Sequence, residues 1–136
     1  MQQALNMAGV NSDEVDYINA HATGTSVGDA CEARAIQAVF GSHCPNVCVS
    51  STKSMTGHLL GAAAAIEALA CVTAITAGAI PPTINLDRPD PECELRHVAN
   101  ACEEHKVRVA MSNSFGFGGH NTSLLLRSPS RGGHGA

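Results

Sequence analysis

Twice within its first 60 residues the chain runs from a short β-branched stretch into a loop of small polar residues that carries a histidine. Each time a helix-forming segment follows. The first pass is VDYINA (15–20), then HATGTSVG (21–28), then a helix expected through Phe40, where Ile36, Val39 and Phe40 keep the 3.6-residue period and Gly41 stops it. The second is VCVSS (47–51), then TKSMTGH (52–58), then an alanine-rich helix from Leu59. Alternating β-branched residues make strands, and loops this rich in Gly, Ser and Thr cannot continue them. Repeated strand–loop–helix units demand a layered α/β fold with a largely parallel sheet, whose ligands gather at the carboxyl ends of the strands. His21 and His58 are therefore expected at one edge of one sheet.

Other segments are read from the same signals. Ala4, Leu5 and Ala8 at helical spacing run into Gly9, so a helix ends almost where the chain begins, as in a chain that starts mid-domain. Asp29 is placed to cap the helix that runs to Phe40. From Pro81, PPTINLDRPDPECE reads as an extended surface connection. Val107–Ser112 and Thr122–Leu126 read as strands joined by NSFGFGGHN, whose glycines permit a close turn. The tail, 128–136, has too little apolar content to order itself and is expected to be disordered, leaving 1–127 as the domain. Leu59 to Ala79 has the length of a bilayer span, yet Glu67 sits near its centre and charged flanks are lacking. A buried helix, and no membrane span, is the expectation.

Composition narrows the function classes. The 8 basic residues against 12 acidic ones are scattered and form no stripe for a phosphate backbone, which removes nucleic acid from the expected partners. MQQALNMAGV shows neither a basic n-region nor an apolar run, so the expected location is the cytoplasm, or a plastid or mitochondrion if the parent protein has an upstream transit peptide. The 136 residues include 21 alanines but only 28 Ile, Leu, Val and Phe together, a thin supply for a self-sufficient core. Close packing against a partner would make up the difference.

Three chemistries compete for the reactive residues. His21 and His58, each flanked by small residues that let a substrate approach, occupy equivalent loops. Lys53 precedes His58 by five residues, and Glu67 lies in an otherwise apolar helix where an isolated carboxylate is costly, so Glu67 needs a partner such as Lys53. A zinc module is the non-enzymatic alternative, with Cys93, His97, Cys102 and His105 as one ligand set and His43, Cys44 and Cys48 as another. A thiol nucleophile is the third, but none of the six cysteines lies at a Gly-flanked strand-to-helix turn.

NAHATGTSVGDACEA (19–33), SSTKSMTGHLLGAAAAIEA (50–68) and SNSFGFGGHN (112–121) resemble, in order and spacing, the three C-terminal motifs of the β-ketoacyl-acyl-carrier-protein synthases, the elongating condensing enzymes of fatty acid synthesis. STKSMTGH is similar to the type II elongating form, whereas modular polyketide ketosynthases more often carry a KSNIGH-like version. The resemblance implies a thiolase-like fold of two similar α/β halves, of which this chain is the C-terminal one. The nucleophilic cysteine belongs to the other half. The implied activity is decarboxylative Claisen condensation of an acyl thioester with malonyl-carrier protein. Alternatives kept open are a ketosynthase domain of a polyketide or multidomain fatty acid synthase, and a free-standing half-domain without activity.

The resemblance also assigns residues. His21 and His58 match the histidines that contact the malonyl thioester carbonyl, Lys53 the family lysine and Glu67 the glutamate linked with it. Thr23 and Thr25 match residues that hydrogen-bond the phosphopantetheine arm, Asp29 and Glu32 acidic positions that support the His21 loop, and Phe117 the gating phenylalanine that also helps form the oxyanion hole. Asn19, Glu67, Ser112 and Asn113 match positions that hold a structural monovalent cation in some members. No cofactor is implied beyond the phosphopantetheine that carries the substrate. The implied partners are acyl-carrier protein, the N-terminal half and, in the complete enzyme, a second copy. Two positions depart from the pattern: Ala64 stands where glycine is usual and His120 where threonine is usual.

Overall fold

The computed structural model describes residues 1–129, so the expected disorder of the tail falls, from residue 130 on, outside the described residues. Eleven regular elements follow one another: α1 (Gln2–Ala8), β1 (Tyr17–Asn19), α2 (Ser26–Phe40), β2 (Cys48–Ser50), α3 (Lys53–Thr56), α4 (Ala63–Ala77), β3 (Ala79–Ile80), β4 (Arg96–His97), β5 (Glu103–Glu104), β6 (Val109–Phe115) and β7 (Asn121–Arg127). Five strands form one sheet in the order β4-β2-β1-β6-β7, with β3 and β5 as a separate antiparallel pair. β4, β2, β1 and β6 run parallel, and β7 folds back antiparallel on β6. The parallel α/β architecture expected from the repeated units is the one formed, and all four parallel strands deliver their carboxyl ends to one edge.

Strand alternation sorts the core into two layers. Ile18, Val49, Val109 and Met111 pack with Leu5 of α1 and Ile36 and Phe40 of α2. Tyr17, Cys48 and Ala110 face the other way, onto Cys71 and Ala74 of α4. The two layers are built on opposite faces of the same strands, so burial of one helix layer presupposes the other.

The alanine helix is buried along one stripe. Ala63, Glu67, Cys71 and Ala74, at the 4-4-3 spacing of a single helix face, are covered, while Leu69 and Val72 on the outer side are exposed. Residues 60–77 are long and apolar enough to cross a membrane by composition alone, yet the covered stripe lies on the sheet and its glutamate is paired there. Gly78, at φ 66°, ends α4 by donating its N–H to the Ala74 carbonyl.

Several expected boundaries shift. α2 starts at Ser26 with Thr25 as its N-cap residue, so Asp29 is not the cap but lies inside the first turn. The polar loop after β2 contains the short helix α3, and α4 is preceded by a turn of 3₁₀ helix, Leu60–Ala62. Just beyond the segment read as an extended connection lies β4, which pairs with β2 through Cys48 and Val49, and both β4 and β5 lie outside the strands expected from sequence. β6 continues to Phe115, which shortens the expected glycine turn to 116–120.

Candidate functional site

Each histidine leaves the sheet at the end of a central strand. β1 ends at Asn19, paired with Ser50 of β2 on one side and Ser112 of β6 on the other, and His21 follows two residues later. The loop around it is gripped from α2. Glu32 accepts the backbone N–H of His21 at 3.0 Å and of Ala22 at 2.8 Å, and Asp29 accepts those of Gly24 at 3.2 Å and Thr25 at 3.3 Å. Asp29 and Glu32 are three residues apart, which places both carboxylates on one face of the helix. The support that the resemblance implied for these two residues is thus a set of charge-assisted bonds to backbone donors.

The second loop is fixed differently. Lys53, the first residue of α3, reaches the Glu67 carboxylate of α4, with the two side chains 5% and 2% exposed. The pairing inferred from the cost of a buried carboxylate is therefore present. Beyond α3 the chain turns at Leu60, a non-glycine residue at φ 51°, and the Leu60 N–H donates to Nδ1 of His58 at 3.3 Å. With Nδ1 serving as acceptor, the proton of a neutral His58 ring sits on Nε2.

The two rings meet edge to face with centroids 5.6 Å apart at 87°. Phe115, at the end of β6, lies 5.6 Å from His21. Burial, then the charges of Lys53 and of His58, push the His21 pKa below its ordinary 6.5, against an opposing pull from Asp29. His21 is thereby kept neutral at physiological pH, and its buried Nδ1 has no hydrogen-bond partner among the described residues. Burial raises the Glu32 carboxyl above its ordinary value, against the opposing effect of its hydrogen bonds to Ala22, His21 and Asn113. A cavity of 730 Å³ opens beside these groups, lined by Thr23, Thr25, Asp29, Glu32, Lys53 and His58 among others.

Other expected residues are dispersed. Phe117 is 98% exposed, and the aromatic ring against His21 is that of Phe115, which the sequence reading did not single out. Asn19 and Ser112 are register neighbours whose side chains face α4, and Glu67 lies on the covered stripe of α4 that meets the sheet. Asn113 faces the opposite layer, where its Nδ2 donates to Glu32 at 3.1 Å and its Oδ1 accepts from Ser123 at 2.8 Å. The expected cation ligands are therefore divided as a side-chain set. Oε2 of Glu67 is buried without a hydrogen-bond partner among the described residues, which suits a small cation on the α4 side.

Neither zinc set assembles as spaced in the sequence. His97 Nε2 meets the backbone carbonyl of Cys93, Cys102 is exposed, and Cys44 and Cys48 face opposite layers. Instead, ligand atoms of Cys48, Glu103 and His105 lie within 4.8 Å of one another. The Arg96 guanidinium donates to both Cys48 Sγ and Glu103 Oε1, so a cation already fills the middle of this group. Burial pushes the Cys48 thiol up to about 11, leaving it protonated at neutral pH.

Comparisons with known proteins agree with one another. A family model described as beta-ketoacyl synthase, C-terminal domain, matches residues 1–87. The chain is 53% identical to 3-oxoacyl-[acyl-carrier-protein] synthase 2 of Synechocystis sp. (strain ATCC 27184 / PCC 6803 / Kazusa) over 124 residues, 91% of this chain and 30% of that protein. Among solved structures, a beta-ketoacyl synthase from Burkholderia phymatum STM815 superposes with a TM-score of 0.90 at 37% identity, over 96% of this chain and 31% of that one. A type II polyketide ketosynthase bound to its acyl-carrier protein and a hexaketide (AntDE:AntF) gives a TM-score of 0.92 at 36% identity, over 95% and 32%. The chain thus spans about a third of the length of the relatives it matches.

Proposed function

Since the chain belongs to the β-ketoacyl synthase family, matching its C-terminal domain, we propose that it supplies the decarboxylation half of an elongating condensing enzyme. In that reaction the malonyl C–CO₂ bond breaks, carbon dioxide leaves, and the electron pair becomes an enolate. The enolate carbon attacks an acyl thioester held on a cysteine of the other half and expels the thiolate, giving a 3-oxoacyl product. The difficult charge is that on the enolate oxygen. Two imidazoles presenting N–H groups at that oxygen stabilise it.

The observation that carries this reading is the edge-to-face pair of His21 and His58 at one strand edge, with the His58 proton directed to Nε2. Thr23 and Thr25 on the cavity wall are the hydrogen-bonding partners for the phosphopantetheine arm. Phe117, wholly exposed, is free to move as a gate. Lys53 holds the histidine loop through Glu67 and lowers the His21 pKa by its charge. A monovalent cation beside Glu67 Oε2, with Asn19 and Ser112 near, would be structural.

The partners follow from what is exposed. The outer face of α4, with Leu69 and Val72 uncovered, is the surface for the N-terminal half, and the whole would pair as a homodimer. Acyl-carrier protein delivers substrate, as a carrier protein is bound in the AntDE:AntF structure. A ketosynthase of polyketide assembly is the second reading, favoured by that same likeness. The length of the product made from malonyl-carrier protein separates the two.

The test is His58→Ala in the intact synthase that carries this chain. Malonyl decarboxylation and condensation should fall by about 10²–10³ while the nucleophilic cysteine is still acylated, because the lost donor acts on the second substrate. Decarboxylation at the parental rate would remove His58 from the role.

A further inference from the structure

Three segments of the site meet at Ser51. This residue follows β2 immediately, is 6% exposed, and engages each of its polar groups with a different stretch of chain. Its Oγ donates to the carbonyl of Ala22 at 3.1 Å, its N–H donates to Thr83 Oγ1 at 2.8 Å, and its carbonyl accepts from Ser54 Oγ at 3.0 Å. The far ends are anchored in turn. The Ala22 N–H is held by Glu32, the Thr83 N–H and carbonyl bond Val98 and Asn100 at 2.8 Å each, and Ser54 Oγ accepts the Ile84 N–H at 3.0 Å.

We propose that Ser51, braced by Thr83, is the positioning residue that sets the separation of His21 and His58. Among the described residues, its hydroxyl makes the one hydrogen bond that joins residues 21–25 to residues 51–58. The carbonyl it holds belongs to Ala22, the residue immediately after His21. With the N–H of Ala22 on Glu32 and its carbonyl on Ser51, that residue is held at both of its backbone polar groups. Without the hydroxyl, the carbonyl is free to turn and His21 loses its fixed distance to His58. Two donors that must converge on one oxygen tolerate little displacement, since a misplacement of about 1 Å costs up to about 10²-fold in rate. Thr83 acts one step back: its Oγ1 holds the Ser51 backbone, so the hydroxyl points at Ala22.

The inference rests on the proposed condensing reaction, and the experiment separates the two. Ser51→Ala, Ser51→Thr and Thr83→Val are made in the intact synthase, with acyl loading of the nucleophilic cysteine and decarboxylation of malonyl-carrier protein measured separately. Ser51→Ala should lose about 10–10²-fold in decarboxylation with loading within about twofold of the parent, and Ser51→Thr, which keeps the hydroxyl, should restore most of the loss. Thr83→Val, which keeps the volume, should shift the same ratio in the same direction, and it carries the test if Ser51→Ala does not fold. The crystal structure of whichever variant folds should show the imidazole centroids moved from their 5.6 Å separation. Parental decarboxylation in both variants, or equal loss of loading and decarboxylation, overturns the proposal. If the parent enzyme itself neither loads nor decarboxylates, the functional reading fails by itself. The ring separation then decides the positioning role, and an unchanged 5.6 Å overturns it.

Discussion

The two histidine loops occupy equivalent places in successive strand–loop–helix units, yet the chain secures them by opposite means. Around His21 the backbone is held and the ring is left free: Glu32 and Asp29 accept four backbone N–H groups, while the His21 Nδ1 has no hydrogen-bond partner among the described residues. Around His58 the ring is held by the Leu60 N–H, and the loop is anchored from below by the Lys53–Glu67 pair. A grip on backbone donors spreads its strength over several partly exposed bonds. An ion pair concentrates it in one buried contact. The loops should therefore fail differently when their supports are removed.

The largest effect is expected on the second loop. Lys53→Met or Glu67→Gln alone should destabilise the intact protein by about 3–5 kcal/mol, because each strands the other's charge or polar group in the layer between α4 and the sheet. Removing both, as Lys53→Met with Glu67→Leu, should cost far less than the sum, read as strong coupling in urea-unfolding midpoints. Additive losses would break the comparison, since Glu67 would then depend on another partner. A potassium dependence of stability in the Lys53→Met protein would identify a cation at Oε2 as that partner.

On the first loop the losses should be graded. Glu32 accepts from His21, Ala22 and Asn113, so Glu32→Gln puts an NH₂ where donors already converge and should cost about 1.5–3 kcal/mol. Asp29→Asn touches two longer, exposed bonds and should cost no more than about 1 kcal/mol. Equal losses at the two positions, measured by denaturant midpoint, would mean that the loop is held as a unit rather than bond by bond.

How much of this was legible in the sequence depends on whether an interaction is local or set by register. The histidine edges were readable because period-two alternation followed by Gly, Ser and Thr is a local signal, and the Lys53–Glu67 pair because a carboxylate among alanines has no other tolerable state. Asp29 looked like a helix cap, although Thr25 holds that position; which of two polar residues starts a helix is settled by backbone angles. β4 is two residues long just past a proline-rich stretch, and only its pairing with β2 makes it a strand. Phe115 and Phe117 are two residues apart, but β6 pairs with β7 through Phe115, which holds that ring at the His21 edge and leaves Phe117 in the turn. Ser112 and Asn113 are divided by the same alternation, one toward α4 and one toward α2.

The smallest effect sharpens the comparison by charge rather than by contact. The folded protein holds His21 below its ordinary 6.5 because burial and the Lys53 charge disfavour the imidazolium. The unfolded chain takes up that proton at about 6.5, so between there and the lowered folded pKa it binds more protons than the native state. This contribution to stability is complete above pH 6.5 and is lost as pH falls through the window down to the folded pKa. His21→Asn removes the titrating group, so the difference in unfolding free energy between parent and variant should change across that window and stay level above pH 7.5 or so. In Lys53→Met the window should narrow, because one of the charges opposing protonation is gone. A parent-minus-variant difference that is flat from pH 7 down to about 5 would show that His21 titrates alike in the folded and unfolded chain. The free ring of the first loop would then owe its neutrality to solvent pH alone, and the contrast between a held backbone and a held ring would lose its electrostatic part.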